Sequence, residues 1–390
     1  MTNSNVSLDD KYSIESGRIF VTGVQALARI PMVQRQRDVL EGLNTAGFIS
    51  GYRGSPVGGF DQQLWRAKKF LEQNHIRFQP GLNEDLAASA IWGSQQTNLH
   101  EGGKYDGVFA IWYGKGPGVD RCGDVFKHGN MSGPAEHGGV LLIAGDDHAA
   151  KSSTVPHQSE YAFMDASIPV LNPAGLQDIV DYGILGFAMS RFSGCWVAFK
   201  TTAENMDSSA SIDVSPDRVK ISLPKFDMPE DGLSIRWPDD WIEQEHRLHQ
   251  YKLNAVRAFA RQNKIDKTII NSQNPKLGVV TTGKSYLDVR QALEDLGINE
   301  AKADKIGLRL YKVGMPWPLE PQGIDEFSQG LKEILVIEEK RPIIESQLKE
   351  HLYNHAPKNR PNVVGKYDDK GQFLQPAAGE LSPSLIAKVI

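Results

Sequence analysis

"GGVLLIAGDDHAAKSS", residues 138–153, holds a short apolar run followed by a glycine, two acids and a string of small polar residues. A run of this length bounded by turn residues reads as a strand buried in a sheet, with a loop leaving its carboxyl end. The same unit recurs on either side. "AGFISGY" (46–52), "GVFAIWY" (107–113), "IPVLNP" (168–173) and "GCWVAFKTT" (194–202) are further strand candidates. Between them lie helical stretches such as "FDQQLWRAKKFLEQ", "EDLAASAIWGSQQ" and "AGLQDIVDYGILGFAMSRF". This alternation predicts a mostly parallel sheet with helices on both faces. Ligands of such sheets sit among the loops at the carboxyl ends of the strands. The glycines concentrate in those loops, in "GYRGSPVGGFD", "GKGPGVDRCGD" and "GDDHAAKSS".

The first α/β domain is expected over residues 1–211 and a connector over 212–275. Residues 212–238 are rich in proline and charge without periodicity, and "DDWIEQEHRLHQYKLNAVRAFARQNKI" reads as one long helix. From Lys276 to Ile390 a second, smaller α/β unit is expected, with strands in "KLGVVTTG", "GLRLYKVGMPWPL" and "LVIEEK". The final "GELSPSLIAKVI" reads as the start of an amphipathic helix, so the second domain is expected to be truncated and the chain to be a piece of a longer polypeptide.

Composition narrows the function classes. The 390 residues are 40 % hydrophobic and 23 % charged, ordinary values for a globular protein. With 43 Lys and Arg against 48 Asp and Glu, the net charge of −5 argues against a nucleic-acid or anionic-membrane binder. No segment approaches the run of about 20 apolar residues that a membrane helix needs. The polar, acidic "MTNSNVSLDDKYSIESGR" reads as neither a secretory signal nor a transit peptide, and a cytoplasmic protein is expected. Cys122 and Cys195 are the two cysteines. Without a CxxC or a His/Cys metal spacing, no iron–sulfur cluster, structural zinc or other metal is expected on this chain. There is no GxxxxGK[ST] loop, no GxGxxG and no GxSxG elbow.

What remains is one carboxylate. Glu84 opens a helix that continues with Ala87, Ala88, Ser89 and Ala90. Asn83 as N-cap, with Glu84 and Asp85 complementing the helix dipole, is one explanation. The other is that a ligand approaches this thin helix and meets the carboxylate.

"SGYRGSPVGGFD", "LNEDLAASAIWGSQ" and "LLIAGDDHAAKSST", in that order, resemble the first domain of the thiamine-diphosphate-dependent 2-oxoacid:ferredoxin oxidoreductases. Within that family the chain is most similar to the indolepyruvate ferredoxin oxidoreductases, as the N-terminal part of a long fused form. "LGVVTTGKSYLDVRQAL", "KVGMPWPLEPQGIDEF" and "ILVIEEKRPIIESQLKEHL" are similar to the transketolase C-terminal-like domain that follows. The resemblance implies a pyrimidine-binding-type parallel-sheet domain ahead of that smaller domain. It gives Glu84 a role, because the matching glutamate bonds N1′ of the thiamine aminopyrimidine and so promotes the tautomer that takes the thiazolium C2 proton. Ser55 matches a hydroxyl residue near the substrate carboxylate and keto group. Gly54, Pro56 and Asn83 are candidate cofactor contacts, and Arg53 and Lys151 are candidate partners for the carboxylate of a 2-oxoacid. "GKGPGVDRCGD" is a candidate to close over the site.

The arginine by which some relatives bind pyruvate has no counterpart, which puts pyruvate in doubt as a substrate; the resemblance itself implies an aryl or branched-chain 2-oxoacid, indolepyruvate-like, oxidised to the acyl-CoA. The GDG motif that holds Mg²⁺ and the diphosphate is missing as well. The resemblance therefore implies thiamine diphosphate and Mg²⁺ shared with a diphosphate-binding domain outside this chain, with 4Fe–4S clusters, CoA and a γ-like domain in the remainder. Ferredoxin as acceptor and a homo-oligomer are expected, and the chain alone is expected to be inactive. Another thiamine-dependent oxidoreductase or decarboxylase, or a non-catalytic assembly subunit, would share these features.

Overall fold

The computed structural model describes residues 7–390 except 152 and 154. The first domain is built on a six-stranded sheet of β2 (Ala46–Gly51), β3 (Ile76–Phe78), β4 (Val108–Lys115), β5 (Val140–Asp146), β6 (Val170–Leu171) and β7 (Val197–Thr202). Their spatial order is β3-β2-β4-β5-β7-β6, and every pairing is parallel. The quoted run is β5, central and buried along its whole length.

Side-chain alternation divides the core in two. Leu141 and Ile143 join Ile111, Val197 and Phe199 on one face, under the helices Gly23–Leu40 and Leu176–Ser193. Val140, Leu142 and Ala144 join Trp112 and Ala198 on the other, under Ala87, Ala88 and Ile91 of the helix Glu84–Gln95 and Phe126 of the helix Gly123–Ser132. Burial on both faces is why these strands read as continuous apolar runs instead of alternating ones. A two-stranded antiparallel ribbon, β1 (Arg18–Thr22) with β8 (Ser209–Asp213), closes the domain.

The expected long helix is present as Trp241–Arg247 and Leu253–Gln262 joined through a π-helical segment, Leu248–Lys252. Its Val256 and Phe259 belong to the first domain's core. The second sheet has the order β13-β12-β10-β11-β9. Its strands are β9 (Lys267–Ile270), β10 (Leu277–Thr282), β11 (Leu308–Val313), β12 (Glu333–Ile337) and β13 (Asn362–Val364). β9 is its one antiparallel member and lies in the stretch read from sequence as connector. Among the described residues, no helix is long and apolar enough to cross a membrane.

The two domains are joined by backbone and by charge. Val170 N–H donates to Trp317 O at 2.7 Å and Asn172 N–H to Gly314 O at 2.9 Å. Lys312 meets Asp178 at 2.5 Å, and Lys340 Nζ donates to His148 O at 2.7 Å.

Candidate functional site

Glu84 stands at the start of its helix, above the carboxyl end of β4. The cap is made by Asn83, whose Oδ1 accepts from Leu86 N–H at 2.9 Å. Asn83, a candidate cofactor contact, thus has this side-chain oxygen engaged. Trp112 on β4 donates its indole N–H to the Glu84 backbone oxygen at 3.1 Å and fixes the first turn on the sheet. Glu84 is 5 % exposed, and among the described residues its carboxylate accepts no hydrogen bond. Its charge is met only loosely, by Arg121 Nη1 at 3.8 Å. Gly118 makes room for the side chain: a Cβ there would lie 2.5 Å from Glu84 Cγ and 2.8 Å from Oε1. A buried carboxylate with lone pairs to spare, on a rigid helix start and beside a helix of glycines and small residues, can share a proton with a nitrogen heterocycle.

The loop after β2 lies at the same sheet edge. A Cβ on Gly54 would meet Lys115 Cδ at 2.8 Å, and one on Gly145 would meet Pro56 Cδ at 2.9 Å. The loop therefore rests on the carboxyl ends of β4 and β5, with the Ser55–Pro56 peptide bond cis. Ser55 and Arg53 are exposed on it. Lys151 is turned elsewhere. Its ammonium lies 3.1 Å from Glu204 and 2.7 Å from Glu380 of the second domain, and hydrogen bonds to those two carboxylates raise its pKa. Arg53, Ser55 and Glu84 thus lie around the ends of β2 and β4, while Lys151 belongs to the seam between domains.

The structure also assembles a charged chain that sequence reasoning missed. His157 Nε2 lies 2.8 Å from Asp120, on the helix Gly116–Arg121 that carries Gly118 and Arg121. Its Nδ1 lies 3.4 Å from Asp146 at the end of β5. Asp146 is 3.5 Å from Lys200 on β7, which in turn bonds Glu160 at 2.5 Å. Burial works against charge on His157, but hydrogen bonds to Asp146 and Asp120 outweigh it and push its pKa up to about 9. Burial alone would raise the Asp146 carboxyl; Lys200 beside it and the His157 and Ser159 hydrogen bonds hold it well below the usual carboxylate range.

Lys200 and Glu160 face a cavity of about 10 Å³ at the seam, room for a single water. His148, Thr202 and Ser285 also line it. Among the described residues, His148 Nδ1 and Nε2, Glu160 Oε2 and Ser285 Oγ have no hydrogen-bond partner. Burial keeps His148 neutral, far below the ordinary imidazole pKa. Of this chain, Asp146 and His148 lie in the stretch that identified β5, but nothing in the sequence marked their partners.

Residues 266–390 match the family model described as the indolepyruvate ferredoxin oxidoreductase middle domain. A Pyrococcus abyssi protein named indolepyruvate oxidoreductase subunit IorA is 26 % identical over 346 residues, covering 85 % of this chain and 47 % of its own length. A protein of the same name from Methanothermobacter thermautotrophicus is 24 % identical over 340 residues, covering 86 % of this chain and 48 % of its own. The chain spans about half the length of the curated relatives it matches.

Among solved structures, the 2-oxoglutarate:ferredoxin oxidoreductase from Magnetococcus marinus, with 2-oxoglutarate, coenzyme A and succinyl-CoA bound, superposes with a TM-score of 0.62. The identity is 14 %, over 96 % of this chain and 64 % of that one. A split gene transketolase, as an inactive beta4 tetramer, gives a TM-score of 0.53 at 11 % identity, over 93 % of this chain and 96 % of that one. At such identities these likenesses show the fold, which agrees with the two-domain α/β arrangement expected from sequence. Residues 266–390 match that family model and most of the chain aligns to relatives of one name, so the chain is similar along most of its length to the indolepyruvate ferredoxin oxidoreductases.

Proposed function

We propose that this chain is the pyrimidine-binding part of a thiamine-diphosphate-dependent 2-oxoacid:ferredoxin oxidoreductase acting on an aryl or branched-chain 2-oxoacid, and that Glu84 is its proton-sharing carboxylate. The observation that carries the reading is the buried Glu84 carboxylate, cradled by Gly118 and bonded to no donor among the described residues. A basic ring nitrogen of an aminopyrimidine is a suitable partner for it. When bound, thiamine diphosphate supplies the electron sink for decarboxylation. Glu84 holds and returns one proton at its carboxylate oxygen, and Trp112 keeps the helix start in place.

Arg53 and Ser55, exposed at the same edge, are the proposed partners of the 2-oxoacid carboxylate and keto oxygen. Lys151 could serve only by releasing two carboxylates, so Arg53 is the better choice. The diphosphate and Mg²⁺ would be held by a domain outside this chain, since the sequence carries no GDG motif. We assign 4Fe–4S clusters, CoA and ferredoxin docking to the remaining γ-like part of the enzyme, in a cytoplasmic homo-oligomer.

The test is Glu84→Gln in the complete enzyme. Gln keeps the shape but cannot share the proton, so cofactor C2-proton exchange and 2-oxoacid oxidation should slow by about 10²–10⁴ at an unchanged melting temperature. Wild-type exchange with only a lower melting temperature would reduce Glu84 to a residue that complements the helix dipole.

A further inference from the structure

The second domain brings together three metal-ligating side chains that the sequence reading did not connect. Asp325 lies on the helix Pro321–Ser328; His351 lies in the last turn of the helix Ile344–Tyr353, and His355 just beyond it. His351 Nε2 is 2.7 Å from Asp325 Oδ1, and His355 Nε2 is 3.5 Å from the same oxygen. All three ligand atoms lie within 4.8 Å of one another. In a tetrahedral site with bonds of about 2.0–2.1 Å, ligand atoms stand roughly 3.3 Å apart. The observed separations bracket that value, so small side-chain rotations would complete the geometry.

We propose that Asp325, His351 and His355 form a binding site for a divalent transition metal of the zinc class. Two imidazole nitrogens and one carboxylate favour zinc, cobalt, nickel or copper over the oxygen-seeking calcium and magnesium. The spacing His-x-x-x-His puts both rings on one side of the chain, and they stand 5.3 Å apart, centroid to centroid. Hydrogen bonding alone leaves the set poorly used: one oxygen serves two imidazoles, and the second contact is at the limit of a hydrogen bond.

The three side chains are half-buried, which leaves a metal a way in. His351 also borders a groove of about 800 Å³ that contains Arg257, Arg261 and Lys225, so a fourth coordination position can take water or an anion. A metal there would clamp the two helices together. Nothing in the Glu84 chemistry requires it.

The metal-stripped 390-residue chain is titrated with Co²⁺, then with Zn²⁺. One equivalent of Co²⁺ should give visible d–d bands with nitrogen ligation, Zn²⁺ should displace it, and Zn²⁺ should raise Tm. His351→Gln and His355→Gln should each weaken Co²⁺ binding by about tenfold or more, and the double variant should abolish it. His128→Gln, whose imidazole pairs with Asp124 on an exposed helix face, should leave binding unchanged. Circular dichroism in metal-free buffer checks each fold, and Asp325→Asn, similar in shape, gives an independent loss of ligation. Absence of saturable Co²⁺ binding, or binding that survives the double variant, overturns the proposal.

Discussion

A methyl group at Gly118 would stand 2.5 Å from Glu84 Cγ, so Gly118→Ala is a test of position without a change of charge. In an unstrained helix the substitution gains up to about 1 kcal/mol of propensity, while overpacking costs about 1–3 kcal/mol. Net stability should therefore fall by no more than about 3 kcal/mol. Turnover of the complete enzyme should fall far more, because the carboxylate is pushed off its position; near-normal turnover would detach Gly118 from the site. The place of Glu84 at a helix start was legible in sequence, from Asn83 as N-cap and the small residues that follow, whereas its proposed role came only from the resemblance. The chain Asp120–His157–Asp146–Lys200–Glu160 was not. His157 and Asp120 are 37 residues apart and Lys200 and Glu160 are 40, so these pairs exist only once strand order is fixed. His351 and His355 sit four apart in plain view, but their third partner lies on another helix.

The helix Glu84–Gln95 carries two separable functions, a start and an outer face. Asn83→Ala removes the cap bond to Leu86 and should cost about 1 kcal/mol in urea unfolding. An unchanged midpoint would mean that tertiary packing, through Trp112, holds the turn by itself. The outer face is apolar and thin: Leu82 is 86 % and Leu86 52 % exposed, with Ser89, Ala90 and Gly93 beside them. In the complete enzyme this face should be covered by the neighbouring domain, seen as increased hydrogen-exchange protection of residues 84–95; equal protection in the short and long proteins would refute that. At this scale, legibility followed burial. The buried strands β4, β5 and β7 betrayed themselves as apolar runs, whereas β1, β8 and β9 are exposed along much of their length and carry too little apolar signal. The helix Gly23–Leu40 was hidden differently, since it buries Arg29, Arg35 and Asp38 among its apolar residues and so shows no clean stripe.

At the scale of the whole molecule, three groups raised on folding set separate pH windows. Burial pushes the Asp266 and Glu338 carboxyls up to about 7. A carboxyl raised on folding contributes stability that is full below its unfolded pKa, near 4, and is lost as pH rises to about 7. His157, raised to about 9, contributes stability that is full below about 6.5 and lost as pH climbs through 9. Against wild type, Asp266→Asn should therefore remove a loss of melting temperature between about pH 4 and 7, and His157→Gln one between about pH 6.5 and 9; variants whose profiles run parallel to wild type would remove these assignments. The two-domain plan was legible because each sheet has its own run of apolar strands, but the seam was not, being made of charged residues that look like loop in sequence. The proposed division of the enzyme leads to the last expectation. Thiamine diphosphate carries most of its charge on the diphosphate, and the sequence offers no GDG motif to hold that end through Mg²⁺, while the role proposed for Glu84 is toward the pyrimidine alone. Calorimetry on this chain should therefore show weak or undetectable binding, unaffected by Mg²⁺, and the complete enzyme should bind tightly with Mg²⁺ dependence. Tight, Mg²⁺-dependent binding to the 390 residues alone would mean that the diphosphate site is built here from residues that resemble no known motif, and the proposed sharing of the site between domains would fall.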